Sequence, residues 1–290
     1  MRYLPEPLIH PVSCLTFDEQ GQNLLIGGRN CLIRWNIIEN TRTDLYGWNT
    51  GLVNTSFVGN AMVLATMEGD LFWMDHEGRR LNHTRSWVWP IANVVVDPIH
   101  KQIVMSGRRN SRSALESRSW GNLETLWQWN EPSNTAHLVN ILHQHGDTLY
   151  VSGSDTISLH RIATGELLTR WTLGHGNCMN MTVSPDARWV IAGRDTQIAV
   201  FDQRSGILQR QLLGNSSNPV STLICHPYRP WLWSIQGDSL IRQWDMESWV
   251  PMPSYGWDNV RVNQMAISPD GTVAAAAYVN GKVIVWDLDV

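Results

Sequence analysis

"GKVIVWDLDV", Gly281 to Val290, is the stretch on which the reading of this 290-residue chain turns. Val283, Ile284 and Val285 are β-branched and run into Trp286 and Asp287, the pattern of a buried strand that stops at a polar turn. Such a strand needs a neighbour along its free edge, because an unpaired ladder of N–H and C=O groups would otherwise face solvent. The same ending recurs upstream. "LIRWN" places it at Trp35-Asn36, "LFWMD" at Met74-Asp75, "AVFD" at Phe201-Asp202 and "IRQWD" at Trp244-Asp245, with weaker copies in "SALES" at Leu115-Glu116 and "ISLHR" at His160-Arg161. Successive anchors lie 39 to 45 residues apart, so seven units of similar length fill the chain.

A second feature keeps register with the first. "VSCLTFDEQG" from Val12 matches "VNQMAISPDG" from Val262 in spacing, and "IANVVVDPIH", "CMNMTVSPDA" and "VSTLICHPYR" follow suit. Each is an alternating apolar run broken by Pro, Asp or Gly, which reads as a strand and a tight turn. Between the two features lies a third strand ("WVIAG", "LYVSG", "QIVMSG", "VAAAAYV"), and after the aromatic anchor a fourth ("ELLTRWTL", "ILQRQLL"). No segment of comparable strength has helical periodicity. Four short strands in about 40–45 residues, repeated, is the signature of propeller blades.

The composition agrees with a large layered β domain. Hydrophobic residues make up 43% of the chain and charged ones 17%, below the roughly 25% of an average soluble domain. Trp is the outlier, at 16 against 4 Phe, and each indole buries a large ring whose N–H needs a partner when enclosed. Net charge is −4, which gives no global pull toward nucleic acid or anionic lipid. Lys101 and Lys282 are the only lysines, so the positive charge is nearly all guanidinium. The N-terminus "MRYLPEPLIHPVS" has no apolar h-region and reads as no secretory signal, and no run is long enough to span a membrane. Cys14, Cys31, Cys178 and Cys225 are scattered, which argues for reduced thiols in a cytoplasmic protein rather than a disulfide framework or zinc cluster.

These residues resemble the WD-repeat β-propeller family along the whole chain. The likeness is carried by Trp244-Asp245 and Trp286-Asp287, by the Gly174-His175 dipeptide, and by the "SPD" turns at Ser184 and Ser268. It implies an all-β, seven-bladed propeller of four-stranded antiparallel blades, near residues 10–47, 48–86, 87–130, 131–174, 175–214, 215–256 and 257–290. Residues 1–9 would complete the last blade and close the ring; Pro5 and Pro7 cannot donate to a ladder and fit only an edge strand. The family's hydrogen-bonded tetrad of His, Ser or Thr, Asp and Trp is complete in no blade. Blade five offers His175 and Asp195 but Phe201, and blade six offers Ser234, Asp238 and Trp244 but Asn215, so individual blades are expected to be less cross-linked than consensus ones.

The resemblance also implies that the loops entering each inner strand and the turns between second and third strands share one face, around the mouth of the central channel. That face would collect Arg29, Arg108, Arg109 and Arg194 from blades one, three and five, with Trp48, Trp87, Trp89 and Trp257 in the preceding loops. His10 and His175 occupy other loops, and Glu68, Asp155 and Asp238 add opposite charge. Arg and Trp are the residues enriched in interface hot spots, and they suit a protein or peptide partner bearing carboxylates. The expected function is therefore a non-catalytic scaffold in a larger assembly. The alternative is an enzyme, or a small-ligand or metal binder, using the channel.

Other motifs carry less. The basic run "GRRNSRSALESRSWG", Gly107 to Gly121, could meet a phosphate backbone, but a turn and a strand edge explain it, and nucleic acid is disfavoured as a partner. "HQHGD", His143 to Asp147, with His137 and His160, has zinc-ligand chemistry. Its HxH falls at a turn on the face opposite the mouth, and His160 fills an aromatic anchor position. A polar turn and a packed imidazole are the simpler reading, and no metal is expected. No nucleophile elbow, phosphate-binding loop, dinucleotide fingerprint or zincin helix occurs, so no cofactor is implied. No carboxylate pair falls at equivalent inner-strand positions to serve as an acid/base couple.

Overall fold

The computed structural model describes residues 1–46, 51–131, 141–153, 155–173, 178–213, 217–257 and 259–288. Among them are twenty-seven strands and no α-helix. The first is β1 (Arg2–Tyr3). Blade one is β2 (Val12–Phe17), β3 (Asn23–Gly28), β4 (Cys31–Asn36) and β5 (Thr41–Tyr46); blade two is β6 (Leu52–Val58), β7 (Ala61–Thr66), β8 (Asp70–Asp75) and β9 (Arg80–Arg85). Blade three is β10 (Ile91–Asp97), β11 (Gln102–Arg109), β12 (Arg112–Ser119) and β13 (Thr125–Asn130). Blade four is β14 (Ile141–His145), β15 (Thr148–Ser152), β16 (Thr156–Arg161) and β17 (Leu167–Thr172), and blade five is β18 (Cys178–Val183), β19 (Trp189–Arg194), β20 (Gln197–Asp202) and β21 (Leu208–Leu213). Blade six holds β22 (Thr222–Cys225), β23 (Trp231–Ile235) and β24 (Ile241–Asp245), and blade seven β25 (Val262–Ile267), β26 (Val273–Tyr278) and β27 (Val283–Asp287).

Every sheet is an antiparallel meander in chain order except that β1 is added beside β27 in blade seven, and the inner strands touch in sequence from β2 round to β25, which returns to β2. The ring is therefore closed. Its interior is not one core but seven, one at each seam between neighbouring blades. Strand alternation sorts the side chains. On β3, Leu24 and Ile26 face blade seven while Leu25 faces blade two, and on β4 Ile33 and Trp35 go one way and Leu32 the other. The four alanines of β26 do the same, Ala275 and Ala277 toward blade one and Ala274 and Ala276 toward blade six.

Closure uses the N-terminal segment as the resemblance implied. Arg2 and Tyr3 pair with Val285 and Ile284, Leu4 N–H donates to the Val283 carbonyl, and Leu8 N–H donates to the Gly281 carbonyl. Pro5 and Pro7 fall between those contacts, where no donor is needed, and Leu4 and Leu8 plug the seam between blades seven and one. Blade six departs from the four-stranded pattern. Its outer position is held only by bridges from Tyr255 to Ile241 and from Pro251 to Trp244, because Pro251 and Pro253 interrupt the run of donors a full strand requires.

Neighbouring blades are also interlocked at their edges. The turn between the third and fourth strands of one blade presses on the outer strand of the blade before it. A Cβ on Gly206 would lie 2.5 Å from the Trp171 ring, so only glycine lets that indole lie flat on the turn. Around the channel, polar side chains of one inner strand serve the backbone of the next. Ser13 Oγ donates to the Leu52 carbonyl at 2.6 Å, Thr16 to Thr55 at 2.6 Å, and the Asn263 amide to Val12 across the closing seam.

Candidate binding face

The repeat of strand directions puts all second-to-third-strand turns at one end of the ring, with the segments that lead into the inner strands. Backbone bonds fix this. Trp89 N–H donates to the Arg108 carbonyl at 2.8 Å, Val220 N–H to Asp195 at 2.8 Å, and Val262 N–H to Asp238 at 2.9 Å. Arg29, Arg108, Arg109 and Arg194 therefore lie at the same end, but in blades one, three and five, no two of which are neighbours. They do not form one cluster. Arg29 is exposed and borders a cleft of about 610 Å³ with Glu6–His10, Arg42 and Asp44. Arg194 is half-buried beside Asp195, Thr196, Gln197 and Gln211. Trp257 is half-buried, its ring 4.6 Å from that of Trp286 and 6.0 Å from that of Tyr255, and it packs between blades six and seven. Trp48, Gly174 and His175 lie outside the described residues.

Four of the eight candidates do converge. The guanidinium of Arg109 lies 5.5 Å from the Trp87 ring centroid, and its Nη1 donates to the Trp87 carbonyl at 3.5 Å. Gly107 has no room for a Cβ against Pro90, so the loop 86–90 lies directly on blade three. Trp89 projects from this loop 61% exposed and covers Gly69 of blade two, with Met67 beside that turn 60% exposed. Arg108 and Arg109 are exposed and make no ion pair among the described residues. The result is an exposed indole, Trp89, over the blade-two turn that also carries Met67, with Arg109 stacked on Trp87 of the same loop and exposed Arg108 next to it in sequence.

What holds this loop is a buried carboxylate. Glu116, on β12, is fully enclosed; its Oε2 accepts from the Ser86 hydroxyl and from the Trp87 N–H, both at 2.7 Å, and its Oε1 pairs with Arg118 Nη2 at 2.6 Å. In the sequence Glu116 stands only as the second residue of a weak anchor copy, but the register pairs Arg118 with Ile103 as Trp35 pairs with Leu24, so the anchor of blade three is Arg118-Ser119 and not Leu115-Glu116. A Glu two residues before the anchor, where no other blade carries an acidic residue, was the available signal. Met67 gave none, since a lone Met on a turn has no pattern.

The named carboxylates are occupied differently. Asp238 holds Arg242 at 2.7 Å, and a backbone N–H and that guanidinium outweigh burial to lower its pKa. The tetrad remains incomplete among the described residues. In blade six the Trp244 indole donates to Ser234 Oγ at 2.9 Å, in blade one Trp35 donates to Asn40 Oδ1 at 3.1 Å, and the Trp286 N–H finds no partner. His160 is fully buried, with Nδ1 donating to the Gly165 carbonyl at 3.0 Å and Nε2 3.1 Å from Ser158. His143 lies on strand β14 rather than in a turn, and burial and the neighbouring His145 push it down to about 4. His137 lies outside the described residues, and among those described no three His, Cys, Asp or Glu side chains gather as a metal site. The described inner strands carry a single carboxylate, Asp97, at the far end of β10, where it bonds His100, Gln102 and Gln144.

A closed ring of repeated meanders defines a β-propeller. The family model described as WD domain, G-beta repeat matches residues 165–202 and 252–287. Each match begins at the outer position of one blade and runs through the inner three strands of the next, and the second begins in the segment that bridges β24. The chain is a seven-bladed β-propeller in which these two segments match WD repeats. Among the described residues no helix is long and apolar enough to cross a membrane.

Proposed function

We propose that this propeller is a non-catalytic cytoplasmic scaffold that binds a protein or peptide partner at its mouth, as a subunit of a larger assembly. WD-repeat propellers are commonly protein-interaction scaffolds, and the preferred contact sector here spans blades two and three. The observation that carries the reading is Trp89, held more than half exposed over Gly69 by a loop tied to buried Glu116, beside two arginines with no carboxylate of their own. Exposed indole and guanidinium held on a rigid loop lose little entropy on binding, which is the property of a hot spot. The partner's matching chemistry is an apolar side chain flanked by carboxylates. Arg29, Arg194 and Trp257 are assigned to other sectors of the same face, and the candidate Trp48 lies outside the described residues.

The test is recovery of the native partner from the protein's own cells by wild type and by a Trp89→Ala, Arg108→Ala, Arg109→Ala variant, quantified by mass spectrometry. The reading expects at least tenfold less partner with an unchanged melting temperature. Equal recovery would remove this sector from the contact.

A further inference from the structure

At the end of the ring opposite the mouth, a cleft of about 710 Å³ opens on the seam between blades five and six. Its walls are the turn before β19, the outer strand β21, the turn before β23 and the turn after β24. Three guanidiniums border it, Arg188, Arg210 and Arg229, one from each of three separate segments, and none makes an ion pair among the described residues. Arg188 lies over the Trp189 ring at 4.6 Å and Arg229 over Trp231 at 4.9 Å, which holds both heads in place at the rim. Of the two carboxylates on the lining, Asp186 is already committed to the Ser184 hydroxyl at 2.5 Å and the Arg188 N–H at 3.0 Å, leaving Glu247.

The apolar wall is built by a non-glycine residue at a turn position of left-handed φ, a position that Asn40 and Leu123 fill in blades one and three. In the turn after the third strand, the fifth residue donates its N–H back to the first, as Gly165 does to Arg161 and Gly206 to Asp202. Those glycines have φ of +73° and +68°. In blade six the same bond is made by Trp249 to Asp245, at φ +60°. A bulky side chain rarely adopts this left-handed conformation, and such strain concentrates at binding sites. Where the other two turns present a bare glycine to a neighbouring ring, this one presents an indole, which meets Trp189 edge to face at 6.0 Å. Tyr228, 74% exposed, stands at the rim.

The backbone donors around the cleft are already used. Arg188 and Trp189 N–H go to Asp186 and Ser184, Tyr228 and Arg229 N–H both go to His226 Nδ1, and Met246 and Trp249 N–H go to Pro230 and Asp245. A compact phosphate cradle needs free N–H groups converging on one point. Here only spaced guanidiniums remain, which suits carboxylates distributed along a chain. The geometry points to a second docking site, on the face opposite the mouth, for an acidic peptide segment that sets carboxylates against Arg188, Arg210 and Arg229 and an apolar side chain against Trp189 and Trp249. The site is independent of the mouth, so one propeller can hold two partners at once.

The test uses ten-residue fluorescein-labelled peptides of Glu and Asp around one central Leu, Met, Phe or Trp, with Gln/Asn counterparts, read by fluorescence anisotropy. At least one acidic peptide is expected to bind, more weakly as salt rises, and its amide counterpart at least tenfold less well. Arg188→Ala, Arg210→Ala, Arg229→Ala should reduce binding at least tenfold. Trp249→Gly should melt at or above the wild-type temperature yet bind at least fivefold less well, so lost binding is not lost folding. The mouth variant of Trp89, Arg108 and Arg109 should bind the peptide as wild type does, which separates this site from the mouth. The proposal is overturned if no acidic peptide binds, if the cleft variants bind as wild type does, if binding is lost only in the mouth variant, or if inorganic phosphate at equal charge displaces the peptide as well as unlabelled peptide does.

Discussion

The anchor position after each third strand shows how one residue in a repeat is free to change while the fold persists. Trp35 satisfies its indole on Asn40, Trp244 on Ser234, and His160 replaces the ring altogether with an imidazole bonded at both nitrogens. In blade three the position falls to Arg118, which pairs with Ile103 as Trp35 does with Leu24, and Arg118 is neutralised by Glu116, a carboxylate that at this depth is tolerated only with full pairing. Glu116 receives the Ser86 hydroxyl, the Trp87 N–H and Arg118, whose side chain is itself nearly buried. Removing one member of such a pair leaves the other charge uncompensated, at a cost of about 3–5 kcal/mol. Glu116→Ala is therefore expected to lower unfolding free energy by roughly 3 kcal/mol or more and to release the loop carrying Trp89. Glu116→Gln should lose less, since it keeps an acceptor for Ser86 and Trp87. Urea denaturation of the two variants checks this; a loss below about 1 kcal/mol for the alanine variant would mean the carboxylate holds nothing.

At the scale of the element, strand pattern and period made the architecture legible, and ring closure by the N-terminal segment was what the family resemblance implied. Alternation announces which residues are buried, and in a propeller every blade is buried on both faces, so the signal repeats seven times. The outer element of blade six was not legible as an exception, because its prolines could equally sit on an edge strand. Half of the candidate mouth was legible only as residue types on one face. Which of them converge depends on loop trajectories, such as that of 86–90 over Gly107, which no period encodes. The closing element gives a direct prediction. Deleting Met1 to Pro7 removes the Arg2–Leu4 ladder from β27 and unplugs Leu4 from the seam, a loss of about 4–5 kcal/mol from one buried leucine and a few backbone hydrogen bonds. For a chain of this size that corresponds to a fall in melting temperature of about 10 °C. An unchanged melting curve would show that the ring does not depend on the latch.

Stability of the whole ring is shared among seven seams, and two of the polar links in it depend on neutral histidine. His226 joins blade six to blade seven, with Nε2 donating to the Gly271 carbonyl at 3.0 Å while Nδ1 accepts the N–H groups of Tyr228 and Arg229. A proton on Nδ1 would face two donors. Burial, with help from Arg229, lowers the His226 pKa, and burial lowers that of His160 in blade four. The unfolded chain takes up those protons near 6.5 and the native ring only at lower pH, so the unfolded state binds more protons in between. Stability is then greatest above pH 6.5 and falls as pH drops toward the lowered native values. A second decline begins under about pH 4, as Asp97, Asp186 and Asp270, whose native pKa values lie below 3.8, lose the hydrogen bonds they accept when ionised. The melting temperature should therefore be level between pH 7 and 8 and decline steadily from 6.5 to 5. A His160→Gln, His226→Gln variant should melt lower at pH 7.5 but show a flatter decline over that interval. Parallel slopes for variant and wild type would place the acid sensitivity in other groups.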